Sequence, residues 1–200
     1  INQDPAVTKK VGASSFAGGN AAVASGNNAM AYGTSVEASG INSAAFGNNS
    51  KAVGTNSLAI GDGNTASGSA SFASGQNTTA SGNQSAAVGN AGKATGNGSF
   101  AGGYWNVNNG SSTAAGQSSF AFGEGANAKS DHSLAFGKNS VVNTTSGVVL
   151  GSYNELTNAT NALFQLGNGT SSGTTSNAIT VLTDGKTGIG TSAPTEKLDV

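Results

Sequence analysis

Cysteine is absent from this sequence. That excludes disulfides and thiolate chemistry, and by itself does not fix a compartment. Charge is scarce at 8% of residues, against roughly 25% in ordinary globular proteins. Surface ion pairs must therefore be few, and solubility falls to Ser, Thr and Asn. Proline occurs twice and the net charge is −1, so neither signature of a disordered chain is met. The same near-neutral balance gives no reason to expect nucleic acid or an anionic membrane as partner. No apolar run approaches the roughly 20 residues of a membrane span, so this stretch does not insert into a membrane. No leader-like segment is visible either. A start at Ile1 and an end at Leu198-Asp199-Val200 read as a piece of a longer protein.

The residues of catalysis are equally thin. His132 is the single histidine, which excludes a His-based metal cluster, and nothing accompanies it as a triad would. It reads as a solvated turn residue beside Asp131 and Lys129. The carboxylates Asp62, Glu124, Asp131, Glu155 and Asp184 stand singly, so no glycosidase pair is signalled. Gly61-Asp62-Gly63-Asn64 lacks the further oxygen ligands and closing Glu of a calcium loop, and reads as a plain turn. Asp184-Gly185-Lys186-Thr187 resembles the end of a phosphate loop, but position 180 is Thr where that motif needs Gly. It reads better as a hairpin turn between 179–182 and 187–189. The expectation is a protein that is not an enzyme, with no cofactor and no metal.

What the chain has is a period. Glycine recurs every fourteen residues at Gly19, Gly33, Gly47, Gly61, Gly75, Gly89 and Gly103, then at Gly123, Gly137 and Gly151. The one irregular step is 123−103=20, a period plus six. Fourteen is too short for a helical repeat and fits one turn of a β-solenoid. Each turn reads S-x-A-x-G, four variable residues, then A-x-G. The third position holds Ala17, Ala31, Ala45, Ala59, Ala73, Ala87, Ala101, Ala121 and Ala135, with Val149 last. The tenth holds Ala24 through Ala128, then Val142. Two short strands per turn, each with a small residue pointing inward, account for this pattern. The glycines at the strand ends serve turns that need φ > 0 or close main-chain approach. A second glycine series, Gly26 to Gly116, fades to Ser130 and Thr144; with the two valines, this predicts a wider coil at the end of the stack.

The neighbours of the inward Ala point outward and divide the two faces. Beside the first strand lie Phe46, Leu58, Ile60, Phe72, Phe100, Phe120, Phe122, Leu134 and Phe136. Beside the second lie Glu37, Lys51, Thr65, Thr79, Lys93 and Asn127. One face is expected to be apolar along its length and the other polar. An apolar stripe of that extent exceeds the few hundred Å² that monomers expose. An Ala core offers about 0.8 kcal/mol per buried CH₂, against roughly 1–2 kcal/mol to order each residue's backbone. The stripe is therefore expected to be the interface of an obligate homo-oligomer. Ten turns at about 4.8 Å predict a rod on the order of 50 Å long.

Phrases such as Asn42-Ser43-Ala44-Ala45-Phe46-Gly47, Asn56-Ser57-Leu58-Ala59-Ile60-Gly61 and His132-Ser133-Leu134-Ala135-Phe136-Gly137 resemble the head repeats of trimeric autotransporter adhesins, the YadA-like family. The resemblance covers about 15–154. It implies an all-β fold, a trimeric left-handed parallel β-roll with 14 residues per turn, displayed on a bacterial cell surface and anchored in its outer membrane. It also implies attachment to a host extracellular matrix protein, a glycan or other cells, and no catalytic residues. Residues 1–14 then form a lead-in, and 155–200 a connector and short second β module leading to a further C-terminal region. The stretches 161–169, 176–181 and 188–200 resemble the segment before the C-terminal chaperone domain of phage tail fibres. That keeps open a fibre shaft or receptor-binding segment of a phage or contractile injection system, and a passive spacer.

The six-residue insertion Tyr104-Trp105-Asn106-Val107-Asn108-Asn109 holds the sole Trp. Tyr104, Trp105, Asn106 and Asn108 form a candidate ligand loop, in which the aromatics stack on a sugar or anchor a protein contact. Alternatively the two aromatics fold over a neighbouring subunit and fill the groove between chains.

Overall fold

The computed structural model describes residues 11–104, 110–156 and 161–200. Among these residues all regular structure is β. The chain divides into two compact units, Ile1–Gly98 and Ser99–Val200.

In the first unit a long strand and a two-residue strand alternate, as the fourteen-residue period predicts. The long strands include Met30–Thr34, Ala44–Asn48, Leu58–Asp62, Phe72–Gln76 and Ala86–Asn90. They pair in parallel with each residue opposite the one fourteen later, as in Ala45↔Ala59 and Ala59↔Ala73. The short strands, such as Lys51–Ala52, Thr65–Ala66 and Thr79–Ala80, form a second parallel ladder in the same register. Every inward Ala from Ala31 to Ala94 is fully buried. The interior is a column of methyl groups between two thin sheets, as the repeat demands.

Buried serines and asparagines shape the turns. The Ser that opens each repeat is turned inward, where the Ser43 and Ser85 hydroxyls donate to the carbonyls of Gly40 and Gly82 at 2.7 and 2.6 Å. The residue before it sits in the left-handed region, as at Asn42 (φ 55) and Asn56 (φ 57). Asn tolerates that conformation better than most residues. Its amide also joins successive turns: Asn28 donates to Asn42 at 3.1 Å, and Asn42 to Asn56 at 3.0 Å. The first glycine series meets both demands, a positive φ and close approach of the next turn, and the second meets only close approach. Gly47 has φ 108, whereas Gly54 has an ordinary φ and lies directly beneath the carbonyl of Gly68.

In the second unit Phe100–Gly103, Phe120–Phe122, Leu134–Lys138 and Val148–Ser152 pair in parallel, above a short ladder of Thr113–Ala114, Asn127–Ala128 and Val141–Val142. The parallel stack then takes one more strand, Ala162–Asn168, with Val149↔Gln165 and Gly151↔Gly167 in register. Asn177–Leu182 and Thr187–Ile189 continue the sheet antiparallel, and Leu198–Asp199 closes it. The hairpin expected at Asp184-Gly185 is present, with Gly185 at φ 82. Its turn is held by the Lys186 amide donating to the Asp184 carboxylate at 3.1 Å. That hydrogen bond, with the Lys186 ammonium at 3.3 Å, keeps the Asp184 carboxyl below the usual range.

The two sheets of this unit end differently. Asn154, fully buried, closes the short-strand ladder with its side chain: Val141 N–H donates to Asn154 Oδ1 at 2.8 Å, and Asn154 Nδ2 donates to the Val141 carbonyl at 3.0 Å. The amide thus stands in for the next strand at Val141. The same Nδ2 reaches Gln165 Oε1 at 2.6 Å, and Gln165 Nε2 donates to the Glu155 carbonyl at 2.9 Å. Asn154→Ala removes the partners of the Val141 N–H and carbonyl and of the buried Gln165 Oε1, which costs about 1–3 kcal/mol. A lowered melting temperature with faster amide exchange at Val141 is the expected result, and an unchanged Val141 would refute the cap.

Candidate functional site

Alternation along the strands turns the neighbours of each buried Ala outward. On the long-strand side of the first unit one row pairs Met30, Ala44, Leu58 and Phe72, and the other pairs Tyr32, Phe46, Ile60 and Ser74. None of these side chains is buried: Phe46, Leu58 and Phe72 are half-covered, and Ile60 is 38% exposed. Ala44 and Ser74 interrupt the stripe, so it is less uniformly apolar than the sequence suggested.

The second unit carries the stripe in denser form. Phe100, Phe120, Leu134 and Val148 make one row, and Phe122, Phe136 and Leu150 the other. Phe100 and Phe120 stack with centroids 4.9 Å apart, and Phe122 and Phe136 at 5.6 Å. Phe122 lies over Gly102, where a Cβ would meet the ring at 2.8 Å. The rings therefore stack nearly face to face along the sheet, while Phe136 remains 48% exposed. No charged residue stands in any of these rows in either unit.

The opposite face carries Glu37, Lys51, Thr65, Thr79 and Lys93 as expected. It is not wholly polar. Val53 is 44% exposed there, and Ile41 is 50% exposed at a turn. Of the candidate ligand loop, Tyr104 is 65% exposed, while Trp105, Asn106 and Asn108 lie outside the described residues.

The remaining candidates resolve into turn chemistry. His132 occupies a left-handed turn position (φ 56), and its amide donates to the Gln117 carbonyl at 2.8 Å. Asp62 accepts from Asn48 Nδ2 at 2.8 Å. The Asn64 amide is spent inside the coil, donating to the carbonyls of Ile60 and Gly75 at 2.7 Å each and accepting from Thr78. Sequence reasoning missed a cavity of about 290 Å³ lined by Asn139, Val141, Tyr153, Asn154, Leu156, Ser172 and Thr175. Its lining comes from separated segments, and no local motif announces it.

Comparison with known families bears on the whole repeat region. The family pattern described as YadA head domain repeat (2 copies) matches residues 38–64, 66–91 and 112–153. No curated protein matches the chain. The matched segments coincide with turns whose inward Ala, outward stripe and stacked glycines are described above. The repeat region of this chain is a YadA-like head domain, a kind of domain found in trimeric, surface-displayed adhesins.

Proposed function

We propose that this chain is the head of a homotrimeric adhesin on a bacterial surface, attaching its bearer to a matrix protein, a glycan or another cell. The observation that carries this reading is the uncharged, outward-facing apolar stripe in a domain whose family is trimeric. A methyl-thick core supplies too little burial to hold such long sheets alone, at about 25 cal/mol per Å². Packing the phenylalanine rows of three copies together provides the missing area. The opposite face and the exposed Tyr104 are then left outward, where repeated weak contacts sum through multivalency.

The expected solution mass is three chains of 19.2 kDa each, read by light scattering; a single-chain mass would refute the trimer. Trp105→Ala is expected to weaken attachment to immobilised matrix proteins or glycans without changing that mass. Unchanged attachment would remove the loop from the binding surface. A fibre shaft is favoured by the hairpin at 177–189, whose sequence resembles the segment before a tail-fibre chaperone. It shares the trimer and differs in what lies beyond.

A further inference from the structure

The repeat signature stops at Gly151, and the next stacked glycine, Gly167, follows after sixteen residues. Across that point the inward row changes character. Ala135 is followed by Val149, Gln165, Thr180 and Gly188, all buried. One outward row stays apolar, while the other runs through Phe164 and Val181 to Thr187. Leu150 pairs with Leu166, Leu166 with Ile179, and Ile179 with Ile189. A sheet that ends in solvent normally keeps apolar residues inside and polar ones outside. Here the polar residues are inside and the apolar row stays outside, with Ile189 48% exposed.

The two faces are also treated differently at this end. The short-strand ladder is closed at Val141 by the Asn154 amide. Among the described residues only the sheet that bears the stripe is extended, by three further strands after Val148–Ser152 and a last short one. Fold economy alone does not require that selection. We infer that the interface between copies runs on past the repeats, so that Phe164, Leu166, Ile179 and Ile189 pack against a second copy of this chain.

The inference rests on the homotrimer reading and extends it to a segment that the family pattern does not match. In a cyclic assembly whose axis runs along the stack, each residue meets its counterpart at the same height. Phe136, Leu150 and Ile189 belong to one continuous run of paired strands in the second unit. Copies that meet at Phe136 therefore meet at Ile189, or leave an apolar row in water.

The absence of cysteine makes the test clean. Single-cysteine forms of the full chain, Phe136→Cys, Ile189→Cys and Ser81→Cys on the opposite face, are treated with a short bismaleimide and run under denaturing conditions. Covalent two-chain products are expected from Phe136→Cys and Ile189→Cys, and not from Ser81→Cys. Linkage at Phe136→Cys alone overturns the inference and leaves the trimer standing. Linkage at Ile189→Cys alone refutes the continuous interface. No linkage at either position removes the trimer reading together with it.

Discussion

Gly54→Ala is expected to destabilise the chain by about 3 kcal/mol or more, at the upper end of single-substitution effects. Propensity argues the other way. At an ordinary φ, replacing Gly by Ala restricts the unfolded chain and stabilises by about 0.4–1 kcal/mol. The stacked geometry reverses the sign. A Cβ at Gly54 would overlap the carbonyl oxygen of Gly68 and come within 2.9 Å of the Ser67 carbonyl oxygen. Both are backbone atoms of the next turn, so neither can swing aside. The Gly54 amide donates to the Ala66 carbonyl at 3.2 Å, and its own carbonyl accepts from Ser57 at 3.2 Å. Any shift that relieves the overlap therefore opens the ladder between two turns. Gly173→Ala is the control, since that glycine is exposed, has no left-handed φ and meets nothing within 4 Å. Thermal denaturation followed by circular dichroism should show a large drop for Gly54→Ala and no loss for Gly173→Ala. Equal melting temperatures would refute the claim that glycine at this place is demanded by contact between turns.

Legibility in the sequence follows from the same stacking. A solenoid pairs each residue with the one fourteen later, so inward Ala45, Ala59 and Ala73 and outward Phe46 and Ile60 could be assigned from spacing alone. The contributions of Ser43 and Asn42 could not. A buried hydroxyl bonded to a carbonyl three residues back and an amide ladder between turns are both polar, and at the level of composition they look like surface. Val53 and Ile41 were missed because a mostly polar neighbourhood masks single exposed apolar residues. The strand Ala162–Asn168 was hidden for a further reason. Two extra residues break the period, and Gln165 stands where Ala is expected, bonded to Asn154 rather than packed as a methyl. Its signal survives only in Phe164, Leu166 and Gly167, which keep the outward and turn positions of the repeat.

Phe46→Asp combined with Phe122→Asp is expected to abolish assembly outright. The two positions lie on the outward row of the long strands, one in each unit, with Phe122 38% exposed and Phe46 half-covered. Neither substitution intrudes on the alanine core, because both side chains point away from it. What changes is the face proposed to be shared between copies. A carboxylate buried there without a partner costs about 3–5 kcal/mol, and in a trimer each substitution is met three times at one height. Like charges brought together around an axis add repulsion to that loss of solvation. The lost ring contacts act in the same direction, since Phe122 stacks on Phe136 at 5.6 Å and covers Gly102. Light scattering should then report a single-chain mass or aggregate in place of three chains. Because the thin core is inadequate alone, circular dichroism should show loss of β-structure as well. A double variant that keeps a three-chain mass would place the interface on another surface. One that stays folded as a monomer would mean the alanine column and hydrogen-bonded ladders suffice, and the stripe would then be the surface that meets the ligand.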